Sequence, residues 1–131
     1  MVCLDASFIV ALIRRDPKAE KKLEEYVASG ARLSTTPITA CELFKGAYRS
    51  RRRDLEVAKV RDMLAYLEIL SFSSDACERY GKLVSDLGLL GQSIGDLDTM
   101  IAGIALTRNE PITTMDRKHF ERVPGLLVET W

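Results

Sequence analysis

Met1-Val2-Cys3-Leu4-Asp5-Ala6-Ser7 opens the chain and runs from a short apolar strand directly into a carboxylate. Val2 to Leu4 is a continuous apolar run rather than an alternating one, which is the pattern of a strand covered on both faces. In an open α/β sheet, ligands bind beyond the carboxyl ends of the strands, so Asp5 is expected at the rim where chemistry is done. The simpler reading makes Asp5 the cap of a helix beginning near Phe8. Choosing between the two depends on whether other carboxylates reach the same edge.

Outward from this stretch, helices and strands alternate. Ser7 to Arg14 has helical apolar spacing. Asp16-Pro17 then stands in the order N-cap, N1 for a helix to about Ser29, with Ala19, Leu23, Tyr26 and Val27 inward and Gly30 as its stop. Arg32 to Thr35 reads as a strand, Pro37 to Tyr48 as a helix, and Leu55 to Leu67 as an amphipathic helix carrying Val60, Met63, Leu64 and Leu67. After a strand at Ile69 to Phe72, Ser74 is expected to cap a helix whose stripe is Ala76, Cys77, Tyr80, Leu83, Val84 and Leu87, ending at Gly88. Gly88 to Ser93 reads as loop, Ile94 to Asn109 as helix and Ile112 to Thr114 as strand, with Pro111 between them; Leu126 to Glu129 is the last strand. The alternation predicts an α/β fold with a mainly parallel sheet of four to five strands and helices on both sides, in one domain spanning 1–131.

Composition narrows the function classes. Lys plus Arg and Asp plus Glu are equal at 19 each, so no global charge draws the chain to nucleic acid or an anionic membrane, and any such contact must be local. Cys3, Cys41 and Cys77 form neither a CxxC pair nor a zinc spacing and are expected as small core residues in a reducing compartment. With no signal-type segment and no apolar run of membrane length, the expected location is cytoplasmic.

Acids follow the strands repeatedly: Asp5, Glu42, the pair Asp96 and Asp98, and Asp116. In a parallel sheet these positions face one edge. Glu42 has a competing role, because Thr39-x-x-Glu42 fits a capping box, and Ser93-x-x-Asp96 has the same signature. Asp98 is different, since it shares a helical face with Ile101, Ala102 and Ala105, the positions of a core-facing stripe. An inward carboxylate costs several kcal/mol unless it is paired or bound to a cation, and no Lys or Arg lies on that stripe. Oxygen ligands of this kind point to Mg²⁺, with Mn²⁺ as a possible substitute, which is equipment for phosphate-ester chemistry. No Walker loop, dinucleotide fingerprint or Ser-His-Asp set competes.

Leu4-Asp5-Ala6-Ser7, Thr39-Ala40-Cys41-Glu42-Leu43-Phe44-Lys45-Gly46-Ala47, Ile94-Gly95-Asp96-Leu97-Asp98-Thr99-Met100-Ile101-Ala102-Gly103, Thr113-Thr114-Met115-Asp116-Arg117-Lys118-His119-Phe120 and Val123-Pro124-Gly125-Leu126 occur in this order. Together they resemble the PIN-domain ribonucleases, and within them the VapC toxins of prokaryotic toxin–antitoxin pairs. The resemblance covers the whole chain and implies a PIN-like, Rossmann-like three-layer fold. Its acids correspond to Asp5, Glu42, Asp98 and Asp116 as metal ligands and catalytic residues, with Ser7 and Asp96 in support. It further implies Mg²⁺-dependent endonucleolytic cleavage of RNA, a VapB-type antitoxin and a homodimer. Ala6 stands where Thr is frequent, and Asp96 adds an acid near the site.

Lys45, Arg49, Arg51, Arg52 and Arg53 form a basic run that could grip RNA phosphates. His119 is expected to pack near the last strand rather than to act in catalysis. The competing class is a non-catalytic or receiver-like Mg²⁺-binding regulatory or interaction module. A receiver needs an Asp at the end of a central strand, which Ile69 to Phe72 does not supply.

Overall fold

The computed structural model describes residues 1–131. Five short strands form one sheet: β1 (Val2–Leu4), β2 (Leu33–Thr35), β3 (Glu68–Ile69), β4 (Ile112–Thr113) and β5 (Val128–Glu129). Their order is β3-β2-β1-β4-β5, and every neighbouring pair is parallel. Cys3 lies opposite Ser34 on one side and Ile112 on the other, so β1 is the centre of the sheet. The chain winds outward from β1 to β3 and then returns to β4 on the other flank. The junction of β1 and β4 is therefore the switch point, beyond whose carboxyl ends such sheets open a crevice.

Seven helices cover the sheet: α1 (Ala6–Ile13), α2 (Pro17–Ala28), α3 (Pro37–Tyr48), α4 (Arg53–Ala65), α5 (Ser74–Leu89), α6 (Asp96–Thr107) and α7 (Arg117–Phe120). Strand side chains alternate between faces, and β1 divides its three between two cores. Val2 and Leu4 pack with Phe8, Ile9, Leu12, Leu43, Val57 and Val60, whereas Cys3 packs with Leu83, Leu87, Ile101, Ile104 and Phe120. Each fully buried large aliphatic or aromatic side chain contributes about 1.5–3 kcal/mol. Helices on both sides of a parallel sheet thus follow from β1 having no polar face.

Several helix starts differ from the sequence expectation. α3 is capped by Thr36, whose hydroxyl accepts from the Thr39 N–H at 3.0 Å, so Thr39 is already the third helical residue and no capping box forms with Glu42. Ser73 rather than Ser74 caps α5, accepting from the Ala76 N–H at 3.2 Å, and the helix continues through Gly88 to Leu89. α6 begins at Asp96 behind Gly95, whose φ of +91° belongs to a region that favours glycine, so Ser93 is no cap. The Asp16 cap of α2 is as expected, with its carboxylate accepting from the Ala19 N–H at 2.9 Å.

Helical stripes are narrower than their apolar residues suggest. Val27 and Val84 are 64% and 41% exposed, because α2 and α5 turn only Ala19 and Tyr26, and Ala76, Leu83 and Leu87, fully inward. For the same reason Cys41 and Cys77 are exposed, and only Cys3 is the core thiol expected of all three. β3 is shorter than the expected Ile69 to Phe72 and sits on the sheet edge. Against α5, Gly103 permits a close helix approach, since a Cβ there would lie 3.2 Å from the Ala76 carbonyl oxygen. No helix is long and apolar enough to cross a membrane.

Candidate active site

Asp5 follows the last residue of β1, and its backbone N–H donates to the Thr113 carbonyl of β4 at 3.0 Å. The residue has the extended backbone of an N-cap, yet its side chain makes no capping hydrogen bond. Its carboxylate instead accepts from the Thr114 hydroxyl at 2.7 Å and is buried, with 7% exposure. The capping explanation for Asp5 is thereby removed. Burial pushes this carboxyl above the usual carboxylate range, and the charges of Asp98 and Asp116 push it further, while the Thr114 hydrogen bond works against them.

Glu42 lies in the second turn of α3, released from capping by Thr36. Its Oε1 is buried and has no hydrogen-bond partner. Burial raises its pKa first, Asp5 and Asp98 add repulsion, and Lys45 one turn along pulls the other way. The other orphaned carboxylate oxygen, Glu110 Oε1, lies just before β4, at the opposite end of the strand from the acids.

Asp98 projects from the first turn of α6. The residues that share its face, Ile101, Ala102 and Ala105, are all fully buried, as the periodicity required. Asp116 stands between β4 and α7, and its backbone N–H donates to Thr114 Oγ1 at 2.9 Å. Four elements thus meet at the carboxyl edge of the sheet, where Asp5 feels the charges of Asp98 and Asp116, Glu42 feels those of Asp5 and Asp98, and His119 lies between Asp98 and Asp116.

Two neighbours were missed by sequence reasoning. Thr114, fully buried, links the turn after β1 to that after β4, because its one hydroxyl serves both Asp5 and the Asp116 amide. A polar residue ending an otherwise buried strand was the available signal. His119 does not pack away beneath the last strand: its Nδ1 lies 2.9 Å from Asp98 Oδ2 and 2.9 Å from Asp116 Oδ2. Buried Phe120 takes the inward position instead and leaves the neighbouring ring on the acid side. The i, i+3 spacing of Asp116 and His119 placed both on one helical face.

The remaining site candidates are more peripheral. Ser7 Oγ accepts from the Met115 N–H at 3.0 Å and lies 3.4 Å from Thr114 Oγ1, so it braces the β4 turn without touching Asp5. Asp96 is exposed and accepts from the Tyr80 hydroxyl at 3.1 Å. Lys45 is in the last turn of α3, Arg49 is its C-cap, and Arg51, Arg52 and Arg53 form the turn into α4. The Arg53 guanidinium donates to the Tyr48 carbonyl at 3.0 Å. A cleft of about 560 Å³ between α1, α3 and α4 runs from Glu42, the one site acid on its wall, to Ser50 at the start of the basic turn, with Arg14 and Lys59 also lining it.

These residues fit a divalent cation. The donor set is carboxylate oxygen with one imidazole nitrogen, Glu42 Oε1 has no partner, and Asp5 and Glu42 both have pKa values raised first by burial and then by neighbouring carboxylates. Donor atoms of Asp98, Asp116 and His119 lie within 4.8 Å of one another.

The family model of the PIN domain matches residues 2–126. The chain is 30% identical over 128 residues to Ribonuclease VapC2 of Rickettsia felis and equally to the tRNA(fMet)-specific endonuclease VapC of Salmonella typhimurium, each match covering 98% of this chain and 96% of the relative. Among solved structures, VapBC2 from Rickettsia felis bound to a promoter DNA fragment superposes with a TM-score of 0.92 at 29% identity, over 100% of this chain and 99% of that one. DNA-bound VapBC from Salmonella typhimurium gives 0.90 at 30% identity, covering 100% and 99%. With the β3-β2-β1-β4-β5 sheet, the acids gathered at its switch point and relatives aligned end to end, the chain belongs to the PIN domain family and has VapC ribonucleases among its relatives.

Proposed function

We propose that this chain is a metal-dependent endoribonuclease, the toxin of a toxin–antitoxin pair held inactive by a VapB-type antitoxin. The observation that carries the reading is the convergence of four carboxylates, one with a buried and unpartnered oxygen, at the switch point of the sheet. Its likeness to ribonuclease and tRNA endonuclease relatives, and to toxins solved with their antitoxins, supports the substrate class and the partner. A homodimer, a single domain of 1–131 and a cytoplasmic location complete the proposal.

Asp5, Glu42, Asp98 and Asp116 are the residues that would hold the ion. When bound, Mg²⁺ or Mn²⁺ makes water a better nucleophile and stabilises charge on the phosphate undergoing attack. Asp5 is held rigid by Thr114, so one ligand is fixed before substrate arrives. Ser7 and Thr114 together keep the turn bearing Asp116 against β1. Asp96, engaged with Tyr80, supports the start of the helix that carries Asp98. Lys45 beside Glu42 and the run Arg49, Arg51, Arg52 and Arg53 would draw the RNA backbone along the cleft, which lets a chain of zero net charge bind a polyanion.

The test is cleavage of a structured RNA pool by antitoxin-free protein with Mg²⁺, with Mn²⁺ and with EDTA, beside Asp98→Asn. Metal-dependent internal cleavage that disappears in the variant is expected. Equal cleavage by Asp98→Asn would refute the site, and tight antitoxin binding by a protein inert under every metal and RNA condition would favour the non-catalytic module.

A further inference from the structure

His119 is the one histidine of the chain, and its ring lies against two of the four acids. The same ring atom, Nδ1, faces Asp98 Oδ2 and Asp116 Oδ2 at 2.9 Å each. One ring nitrogen carries at most one hydrogen, which makes a full hydrogen bond to one oxygen, not two. Adjacent ligand atoms in an octahedral shell with bonds of about 2.1 Å lie roughly 3.0 Å apart. Both nitrogen–oxygen separations therefore match those of neighbours in one coordination shell. The ring is 39% exposed and Asp116 46%, so solvent ions reach the place, while buried Phe120 fixes the short helix that presents the ring.

We propose that His119 is a direct nitrogen ligand, through Nδ1, of the divalent ion shared by Asp98 and Asp116. The inference rests on the metal-centre reading above and deepens it. A nitrogen donor changes the ion the centre prefers: Mg²⁺ is a hard ion suited to oxygen, whereas imidazole favours first-row transition ions. The site consequently selects Mn²⁺ over Mg²⁺ more strongly than an all-carboxylate site would. The competing role for His119 is a hydrogen bond from the ring to a ligating carboxylate, which orients the ligand without touching the ion.

Pulsed electron paramagnetic resonance of Mn²⁺ bound to the protein separates the two roles. The protein is freed of any tag histidines, so an imidazole ¹⁴N coupling has one possible source. His119→Asn retains a polar atom near the position of Nδ1 but no imidazole, and His119→Ala removes both; thermal unfolding checks that each variant is folded. The parent is expected to show the ¹⁴N coupling of a coordinated imidazole and both variants to lack it. Titration calorimetry should show Mn²⁺ affinity falling more than Mg²⁺ affinity in both variants; a fall of about tenfold shared equally by the two ions is what loss of a merely orienting hydrogen bond would give, and would overturn direct ligation. Mn²⁺ that binds the parent, depends on Asp98 and gives no imidazole coupling would overturn the role of His119 and leave the metal centre standing. If Mn²⁺ fails to bind, or binds Asp98→Asn equally well, the metal-centre reading falls and the histidine ligand falls with it.

Discussion

Replacing Asp5 with Asn should make the metal-free protein more stable. Asp5 is 7% exposed, is stabilised by the Thr114 hydroxyl and the Ala6 backbone N–H, and feels the like charges of Asp98 and Asp116. Asn keeps an acceptor for the Thr114 hydroxyl, and no capping bond disappears, because the Asp5 side chain makes none. Removing one desolvated and repelled charge is worth about 1–2 kcal/mol, a low value for an uncompensated buried charge. An unfolding entropy of about 2.1 cal/mol/K per residue amounts to roughly 275 cal/mol/K for this chain, so the gain corresponds to a Tm increase of about 4–7 °C. A divalent ion should reverse the order: at one hundred times its Kd it stabilises the parent by about 2.7 kcal/mol, or roughly 10 °C, and the variant by much less.

Acid should close the gap between the two proteins in the metal-free state. The folded-state pKa of Asp5 is raised above its ordinary value of 3.8, so the folded protein binds this proton more tightly than the unfolded chain does. Its unfavourable contribution is therefore present at neutral pH and is relieved as pH falls through the raised value towards 3.8. Differential scanning calorimetry of both proteins at several pH values, with EDTA and with Mn²⁺, measures all of this. A metal-free variant less stable than the parent at pH 7, or one gaining as much from Mn²⁺, would refute the reasoning.

Thr114→Val keeps the shape of a fully buried side chain but deletes the hydroxyl serving Asp5 and the Asp116 amide; it should cost about 2–3 kcal/mol of stability, read by denaturant unfolding. In a double-mutant cycle part of that cost should vanish in the Asp5→Asn background, and full additivity would refute the coupling. Substituting Ala for Arg49, Arg51 and Arg52 should reduce the slope of log affinity for single-stranded RNA against log salt by about 0.7 for each phosphate that the arginines neutralise, and an unchanged slope would exclude the basic turn from the RNA path.

Much of the fold was legible because local rules and the global topology agree. Val2 to Leu4 reads as a strand buried on both faces and is one, and Asp16-Pro17 marks the start of α2 to the residue. Asp98 could be singled out by the face it shares with Ile101, Ala102 and Ala105, which are all fully buried, while Asp98 itself, at the start of the helix, is half-buried. Caps were less legible: Ser73 and Ser74 are chemically alike, and only the packing of α5 decides which leaves the helix. The exposure of Cys41 and Cys77 depends on how far neighbouring elements spread over α3 and α5, which periodicity does not encode. His119 and Thr114 escaped because the partner that draws each into the site, Asp98 for the ring and Asp5 for the hydroxyl, lies far away in sequence, although each also meets nearby Asp116. Such pairings exist only once the sheet has closed.

The placement of β1 at the centre of the sheet has a consequence for biosynthesis. Cys3 leaves the ribosome well ahead of its partner Ile112, and Asp116 follows later still. At roughly 5–20 residues per second, the acids at positions 5 and 42 wait several seconds for those at 98 and 116. Until Asp116 has been added, the nascent chain lacks one of the four acids proposed to hold the ion. Products of aborted translation that end before β4 lack Asp116 and the strand that positions it, and with them the proposed metal centre.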